Sequence, residues 1–240
     1  MNVWVGTSGW SYDEWKGSFY PEDLPKDGML EYYASRLRSV EVNNTFYRMP
    51  RKEVVRGWRE QTPADFSFVL KASRRITHQA KLGDDAGDAL DFLLASSEEL
   101  GEKRGPILFQ TPPWLKGDVG LLSAFLQRVP EGVRAAFEFR STSWFTEDVF
   151  QALADAEAAL VVADTGNTEK DPPLLRTAPF GYARLRREEY DGGLLDDWAT
   201  NLRGAGWTDL WVFFKHEDEA TGPKLAQRFS ALLSGVGGER

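Results

Sequence analysis

Three acidic side chains stand where they could perform acid–base chemistry. Glu41, Glu138 and Asp164 each lie at or near the end of a short hydrophobic run. A carboxylate in such a position can act as a general acid or base, or can bind a hard cation such as magnesium or manganese. If the chain is an enzyme, we expect Glu138 or Asp164 to be its catalytic group, with Glu41 as the next candidate.

Basic side chains follow the same pattern and outnumber the acids. Those at the ends of other hydrophobic runs are Lys71, Arg140, Arg184 and Lys215. Those just beyond such ends are Arg48, Arg74, His78 and His216. Guanidinium and ammonium groups suit phosphate or carboxylate ligands. Because the chain as a whole carries a net charge of −8, this local surplus of bases predicts an anionic ligand: a phosphorylated small molecule or a nucleotide.

Uncharged side chains complete the predicted binding site. They are Asn43, Gln110, Trp144 and Tyr182. Most aromatic residues of the loops are expected to pack over the sheet, but one or two could stack on a nucleobase, which is worth about 1–3 kcal/mol per base. The two histidines lie on separate predicted loops and no metal-ligand spacing occurs. We therefore predict no metal site, and the sequence leaves the cofactor open.

Eight short hydrophobic runs alternate with helical patterns and position these side chains. The predicted strands are Asn2–Gly6, Val40–Asn43, Phe66–Ala72, Pro106–Gln110, Ala135–Phe139, Leu160–Asp164, Gly181–Leu185 and Asp209–Lys215. Between most of them, hydrophobic residues recur every three or four positions, which is typical of amphipathic helices. Between Asp164 and Gly181 the sequence predicts a loop and at most a short helix, so the sixth helical unit should be short or irregular.

Strands that alternate with helices form either a closed barrel or an open doubly wound sheet. In Val40–Asn43 the acid and the amide share one face and the two valines share the other. The same alternation is expected to turn one set of residues to a common face: Lys71, Gln110, Glu138, Arg140, Asp164, Tyr182, Arg184 and Lys215. In a barrel these groups would converge at the C-terminal mouth, where barrel enzymes bind their substrates. The pattern predicts one (β/α)8 barrel domain over residues 1–240.

Composition narrows the function further. The net charge of −8 disfavours a nonspecific nucleic-acid coat, although it allows a local basic site. The absence of cysteine excludes disulfides, thiolate metal sites and thiol nucleophiles. The first residues lack a basic segment followed by a hydrophobic one, and no hydrophobic run approaches about 18 residues. We expect a cytoplasmic protein that has no membrane partner.

Several motifs, in order along nearly the whole chain, resemble those of a known family. They include Val5–Tyr12 (VGTSGWSY), Val40–Arg48 (VEVNNTFYR), Lys71–His78 (KASRRITH), Phe109–Pro113 (FQTPP) and Phe137–Arg140 (FEFR). The sequence resembles the YecE-like family, also called domain of unknown function 72. The resemblance implies a TIM-type barrel and little about a reaction. The chain departs from many members after strand seven, where Arg186-Arg187 replaces a His-Gly, and at the end of strand eight.

Three interpretations stay open. The chain could be an enzyme, a hydrolase or lyase, that acts on an anionic small molecule or nucleotide. It could be a barrel that binds nucleic acid or processes phosphodiesters, or a noncatalytic binding protein whose mouth is closed by salt bridges. The substrate and the oligomeric state do not follow from the sequence.

Overall fold

A ring of parallel strands forms the centre of the protein. The computed structural model describes residues 1–187, 189–215 and 220–234. Its strands are β1 (Asn2–Ser8), β2 (Ser39–Val42), β3 (Ser67–Lys71), β4 (Arg104–Gln110), β5 (Ala135–Glu138), β6 (Ala159–Leu160), β7 (Val162–Asp164), β8 (Phe180–Leu185) and β9 (Asp209–Phe214). They pair in the order β6-β5-β4-β3-β2-β1-β9-β8-β7.

The two ends of this sheet meet in one stretch of chain. Only Val161 separates β6 from β7, and its backbone N–H donates to the carbonyl of Phe137 in β5 at 2.9 Å. Strand β6 pairs with β5 while β7 pairs with β8. The sheet is therefore a nearly closed barrel, which confirms the predicted architecture, although the predicted strand Leu160–Asp164 is divided into two short strands.

Helices cover the outside of the barrel. They are α1 (Met29–Ala34), α2 (Lys52–Glu60), α3 (Gly87–Ser97), α4 (Val119–Leu126), α5 (Glu147–Asp155), α6 (Gly192–Gly204) and α7 (Thr221–Ser234). Residues 165–179, all of which the structure describes, contain no helix, so the sixth helical unit is irregular as predicted. Asp118, Thr146 and Asp191 cap α4, α5 and α6, because each side chain accepts a hydrogen bond from a backbone N–H of the first turn.

The barrel interior has an apolar lower half and a polar upper half. The apolar side chains inside it include Val69, Leu108, Ala136, Tyr182, Trp211 and Phe213. Trp211 stacks on Trp4 with ring centroids 4.6 Å apart, and its indole N–H donates to Ser67 at 2.9 Å. This packing fills the N-terminal half of the barrel, as is usual for the fold. Polar residues that end β2, β4, β5 and β8 are thereby held at the C-terminal mouth.

Gly6 marks the closest approach between neighbouring strands. It is paired with Ser39 of β2, and a Cβ atom at Gly6 would lie 1.8 Å from the Ser39 carbonyl oxygen. We predict that Gly6→Ala lowers the free energy of unfolding by about 3 kcal/mol, because β1 and β2 must separate to admit the methyl group. Urea unfolding measures the effect.

Gly204→Ala is the matched control for this change. Gly204 ends α6, and a Cβ there meets no atom within 4 Å. Alanine should therefore stabilise the protein slightly, by up to about 1 kcal/mol. Equal effects of the two substitutions would contradict the close approach at Gly6.

Candidate functional site

Three buried charges from opposite sides of the barrel meet beneath the mouth. Arg184 of β8 donates from Nη2 to Oε1 of Glu41 in β2 at 2.8 Å, and from Nη1 to Oε2 of Glu138 in β5. The side chains of these three residues are at most 5% exposed. The alternation in β2, β5 and β8 directs each of them inward, since their sequence neighbours pack in the outer core. We call Glu41, Arg184 and Glu138 the buried triad.

Further donors surround Glu41. The Tyr182 hydroxyl donates to Oε2 at 2.6 Å, while Ser8 Oγ and Asn43 Nδ2 donate to Oε1 at 2.7 and 3.1 Å. Burial by itself would raise the pKa of Glu41, but the Arg184 guanidinium and these hydrogen bonds lower it below the usual value. Glu41 is therefore an ionised carboxylate at neutral pH, and these donors take the place of the water that burial removes.

Glu138 is held in the same way by other residues. Gln110 Nε2 donates to its Oε2 at 2.7 Å, Arg186 Nη1 donates to its Oε1 at 3.2 Å, and Arg140 Nε lies 3.7 Å from Oε1. Burial would raise the pKa of Glu138, but the guanidinium groups of Arg184, Arg186 and Arg140 outweigh it and lower that pKa to about 2. A carboxylate so acidic holds no proton to donate at neutral pH and is a weak base.

Three cations lie above the triad and form what we call the cationic rim: Lys71, Arg140 and Arg186. The side chains of Arg140 and Arg186 are 39% and 18% exposed. Lys71 is partly buried at the end of β3, and its ammonium group makes no hydrogen bond or ion pair within the described part of the chain. Its Nζ lies 4.5 Å from the centre of the Phe46 ring. Counting Arg184, four cations thus share two carboxylates.

His78 lies beside this rim, in the π-helical turn Arg75–Gln79. Its ring meets Phe46 edge-on at 5.0 Å and its Nδ1 is 2.9 Å from Thr77 Oγ1. Burial lowers the pKa of His78, and the positive charges of Lys71, Arg140 and Arg74 lower it further. His78 is therefore neutral at pH 7. The part of its pKa shift that comes from these cations indicates a positive electrostatic potential at the mouth.

Other predicted ligand-binding residues lie further out. Arg48, Arg74 and Lys215 are exposed. Arg48 borders a separate groove of about 610 Å³ on the outer surface next to α3, which no residue of the buried triad lines. His216 lies outside the described residues. The structure therefore brings together most of the residues at the strand ends, except Lys215 and Asp164, and leaves most of those beyond the ends apart from them.

Asp164 points away from the mouth, so the prediction that it faces the barrel interior is wrong. Leu160 and Val162 pack in the outer core, and Asp164 continues their face. Its carboxylate accepts from the indole N–H of Trp198 in α6 at 2.8 Å and from Arg187 Nε at 2.7 Å. These contacts hold β7 to the outer helix, and none of these three residues belongs to the buried triad.

Trp144, predicted as a ligand-binding residue, is buried beneath the loops of the mouth. It is completely buried, stacks on Phe139 with ring centroids 4.6 Å apart, and donates from its indole N–H to the Leu115 carbonyl at 2.9 Å. This side chain packs the loop after β5 against the one after β4. A contact between Trp144 and a ligand at the rim is therefore excluded in this conformation.

Arg186 and Arg187 were not predicted as site residues. Arg186 contacts Glu138, and Arg187 pairs with Asp164. Arg186 continues the every-second-residue pattern set by Tyr182 and Arg184, and this periodicity was the signal that could have identified it. Among the residues that the structure describes, no group of three or more His, Asp or Glu side chains could hold a metal ion. No described helix is both long and apolar enough to span a bilayer.

The fold and this site define a TIM-barrel protein. The model of the family described as protein of unknown function DUF72 matches residues 4–238, and the chain belongs to this family, as its motifs predict. A DUF72 family protein from Thermotoga maritima superposes with a TM-score of 0.86 at 27% identity, covering 98% of this chain and all of the other. One from Enterococcus faecalis gives 0.80 at 19% identity, covering 97% and 95%.

Curated relatives resemble part of the chain. The UPF0759 protein YecE of Escherichia coli K12 is 30% identical over 146 residues, which is 60% of this chain and 51% of YecE. The UPF0759 protein YunF of Bacillus subtilis is 27% identical over 157 residues, 62% of this chain and 54% of YunF. The chain thus matches these relatives over about half of their length.

The buried triad predicts a dependence of stability on Glu138 and on pH. Glu138→Gln should lower the free energy of unfolding by about 3–5 kcal/mol, because Arg184 then keeps only one counter-ion. The folded-state pKa of Glu138 is about 2, against about 4.3 in an unfolded chain. The contribution of ionised Glu138 to the free energy of unfolding is therefore fully present above about pH 5 and is lost as the pH falls towards 2. Urea unfolding at several pH values should show a shallower acid decline in Glu138→Gln than in the wild type.

Glu99→Gln is the control for this experiment. Glu99 pairs at 2.9 Å with Arg56, whose side chain is 53% exposed. Losing this exposed pair should change stability by no more than about 1 kcal/mol. If Glu138→Gln behaved like Glu99→Gln, the triad would not be the strong electrostatic contact that its geometry indicates.

Proposed function

We propose that the protein binds a small anionic molecule, phosphorylated or carboxylated, at the cationic rim. The observation that carries this proposal is the excess of positive charge among the residues that the structure describes there: four cations share two carboxylates, and none of these residues forms an ion pair with Lys71. An uncompensated charge that is partly removed from water is unfavourable. A bound anion would remove this imbalance.

The contacts divide the charged residues into support and ligand groups. Arg184 uses both terminal nitrogens on the carboxylates and is fully buried, so it cannot turn towards a ligand. Arg140 and Arg186 each make one longer contact to Glu138, at 3.7 and 3.2 Å, and reach solvent. We assign Lys71, Arg140 and Arg186 to the ligand.

The carboxylates have a supporting role in this proposal. Glu41 and Glu138 are ionised and surrounded by donors, and neither is suited to transfer protons. They fix Arg184 and thereby the floor of the site. The proposal thus joins two of the sequence-based interpretations, since salt bridges close the barrel below and cations remain for a ligand above.

Titration calorimetry with inorganic phosphate tests the proposal. The wild type should bind phosphate at millimolar or lower concentration, and Arg140→Gln or Lys71→Gln should weaken binding about tenfold or more, since a charge-assisted contact is worth about 1.5–3 kcal/mol. Arg38→Gln is the control: Arg38 precedes β2 at the opposite end of the barrel and pairs with Asp65 at 3.1 Å. Absence of binding to the wild type, or equal weakening by Arg38→Gln, would overturn the proposal.

A nucleotide or a single-stranded nucleic acid is the second candidate ligand. Tyr47 and Trp114 are 72% and 53% exposed, and Trp114 meets the His78 ring edge-on at 6.5 Å. Exposed aromatic rings beside cations are the elements that stack bases and hold phosphates. If an oligonucleotide binds more tightly than a mononucleotide, and the decrease of its affinity with salt corresponds to several phosphate contacts, a single-stranded nucleic acid is favoured. Equal affinity for the two would favour the small molecule.

A further inference from the structure

Lys71 differs from the other cations of the mouth. It lies on the inner face at the end of β3, next to the buried triad, yet its ammonium group makes no hydrogen bond or ion pair in the described chain. The ammonium group lies over the face of the Phe46 ring, with Nζ 4.5 Å from the ring centre. An amine held against an aromatic face, partly out of water and among guanidinium groups, is in the environment that activates a lysine nucleophile.

The protonation of Lys71 agrees with this geometry. Burial and, to a smaller extent, the positive charge of Arg184 lower the pKa of Lys71 to about 8. The negative charges of Glu41 and Glu138 oppose this shift only in part. At pH 7 about a tenth of such a side chain is the neutral amine, whereas an ordinary lysine with a pKa of about 10.4 is neutral in roughly one molecule in 2,500. The Phe46 ring favours the charged form and limits this effect without cancelling it.

We propose that Lys71 is a nucleophile that forms an imine with an aldehyde or ketone substrate carrying an anionic group. The proposal rests on the anion site described above, because Arg140 and Arg186 would hold the phosphate or carboxylate of the same molecule. The substrate is thus a small phosphorylated or carboxylated carbonyl compound.

The step is balanced without an oxidant or reductant. The Nζ lone pair forms an N–C bond to the carbonyl carbon, and the π electrons of the C=O bond move to oxygen. The nitrogen loses a proton and the oxygen gains one, which gives a carbinolamine. Loss of that hydroxyl group with a second nitrogen proton releases water and leaves a C=N bond. In this proposal neutral His78, which also contacts Phe46, accepts a proton during this sequence.

Reductive trapping with pyridoxal 5′-phosphate, an aldehyde that carries a phosphate, tests the proposal. The protein is incubated with a limiting amount of the probe and with sodium cyanoborohydride, which reduces the imine much faster than the free aldehyde, and modified lysines are identified by peptide mass spectrometry. Lys71 should be modified about tenfold faster than Lys215, the exposed lysine that follows β9. The rate at Lys71 should level off above about pH 8, whereas the rate at Lys215 should continue to rise.

Two variants separate the amine from its charge. Lys71→Arg keeps a cation but has no nucleophilic amine, so the rapid adduct should vanish, and it should bind phosphate more tightly than Lys71→Gln, which lacks the cation as well. Lys215→Arg should retain the rapid adduct. Inorganic phosphate should slow modification of Lys71 and leave Lys215 unaffected.

The outcomes distinguish this proposal from the one on which it rests. If phosphate binds but Lys71 reacts no faster than Lys215, the imine proposal is overturned and the anion site stands. If Lys71 reacts selectively but calorimetry detects no phosphate binding and phosphate does not slow the reaction, the anion site is overturned and the reactive amine stands. Uniform modification of all lysines together with absent phosphate binding would overturn both.

Discussion

The rest of the mouth depends on one buried guanidinium. Arg184 lies completely out of water, where an unpaired ion would cost several kcal/mol, and it keeps its charge because Glu41 and Glu138 reach it from two other strands. The ion pairs connect β2, β5 and β8, which lie in different parts of the ring. The same contacts that stabilise Arg184 therefore fix the relative positions of three strand ends, and the polar half of the barrel is ordered around them.

This arrangement determines what the remaining charges can do. Both oxygens of Glu41 and Oε2 of Glu138 are committed to Arg184 and to neutral donors. Only Oε1 of Glu138 is left for the cations above, and Arg140 and Arg186 share it. Arg140, Arg186 and Lys71 consequently keep most of their charge unmatched at the edge of the barrel. An acidic protein thereby acquires a positive site, because its surplus acids lie elsewhere on the surface and the mouth is locally basic.

The sequence predicted the barrel and much of the mouth because alternation in most strands has a clear phase. In β2 and β5 each acid stands between apolar residues, so its face follows from the pattern. Asp164 was misplaced because Leu160–Ala163 is apolar at every position, and a continuous apolar run does not show which face is inside. The burial of Trp144 and the missing partner of Lys71 depend on how loops pack across the mouth, which local periodicity does not encode.

The choice of residue type at two neighbouring positions follows from the chemistry of arginine and lysine. The floor needs a charge that is permanent and that reaches two carboxylates at once, and the planar fork of Arg184 provides both. The rim beside it holds Lys71, whose ammonium group pairs with no carboxylate of the described residues and has its pKa lowered to about 8, chiefly by burial. An arginine at position 71 would preserve the positive potential but would remove the primary amine that can become a neutral nucleophile. The permanent charge of Arg184 in turn favours deprotonation of Lys71, so the structural floor itself contributes to the reactivity of the rim.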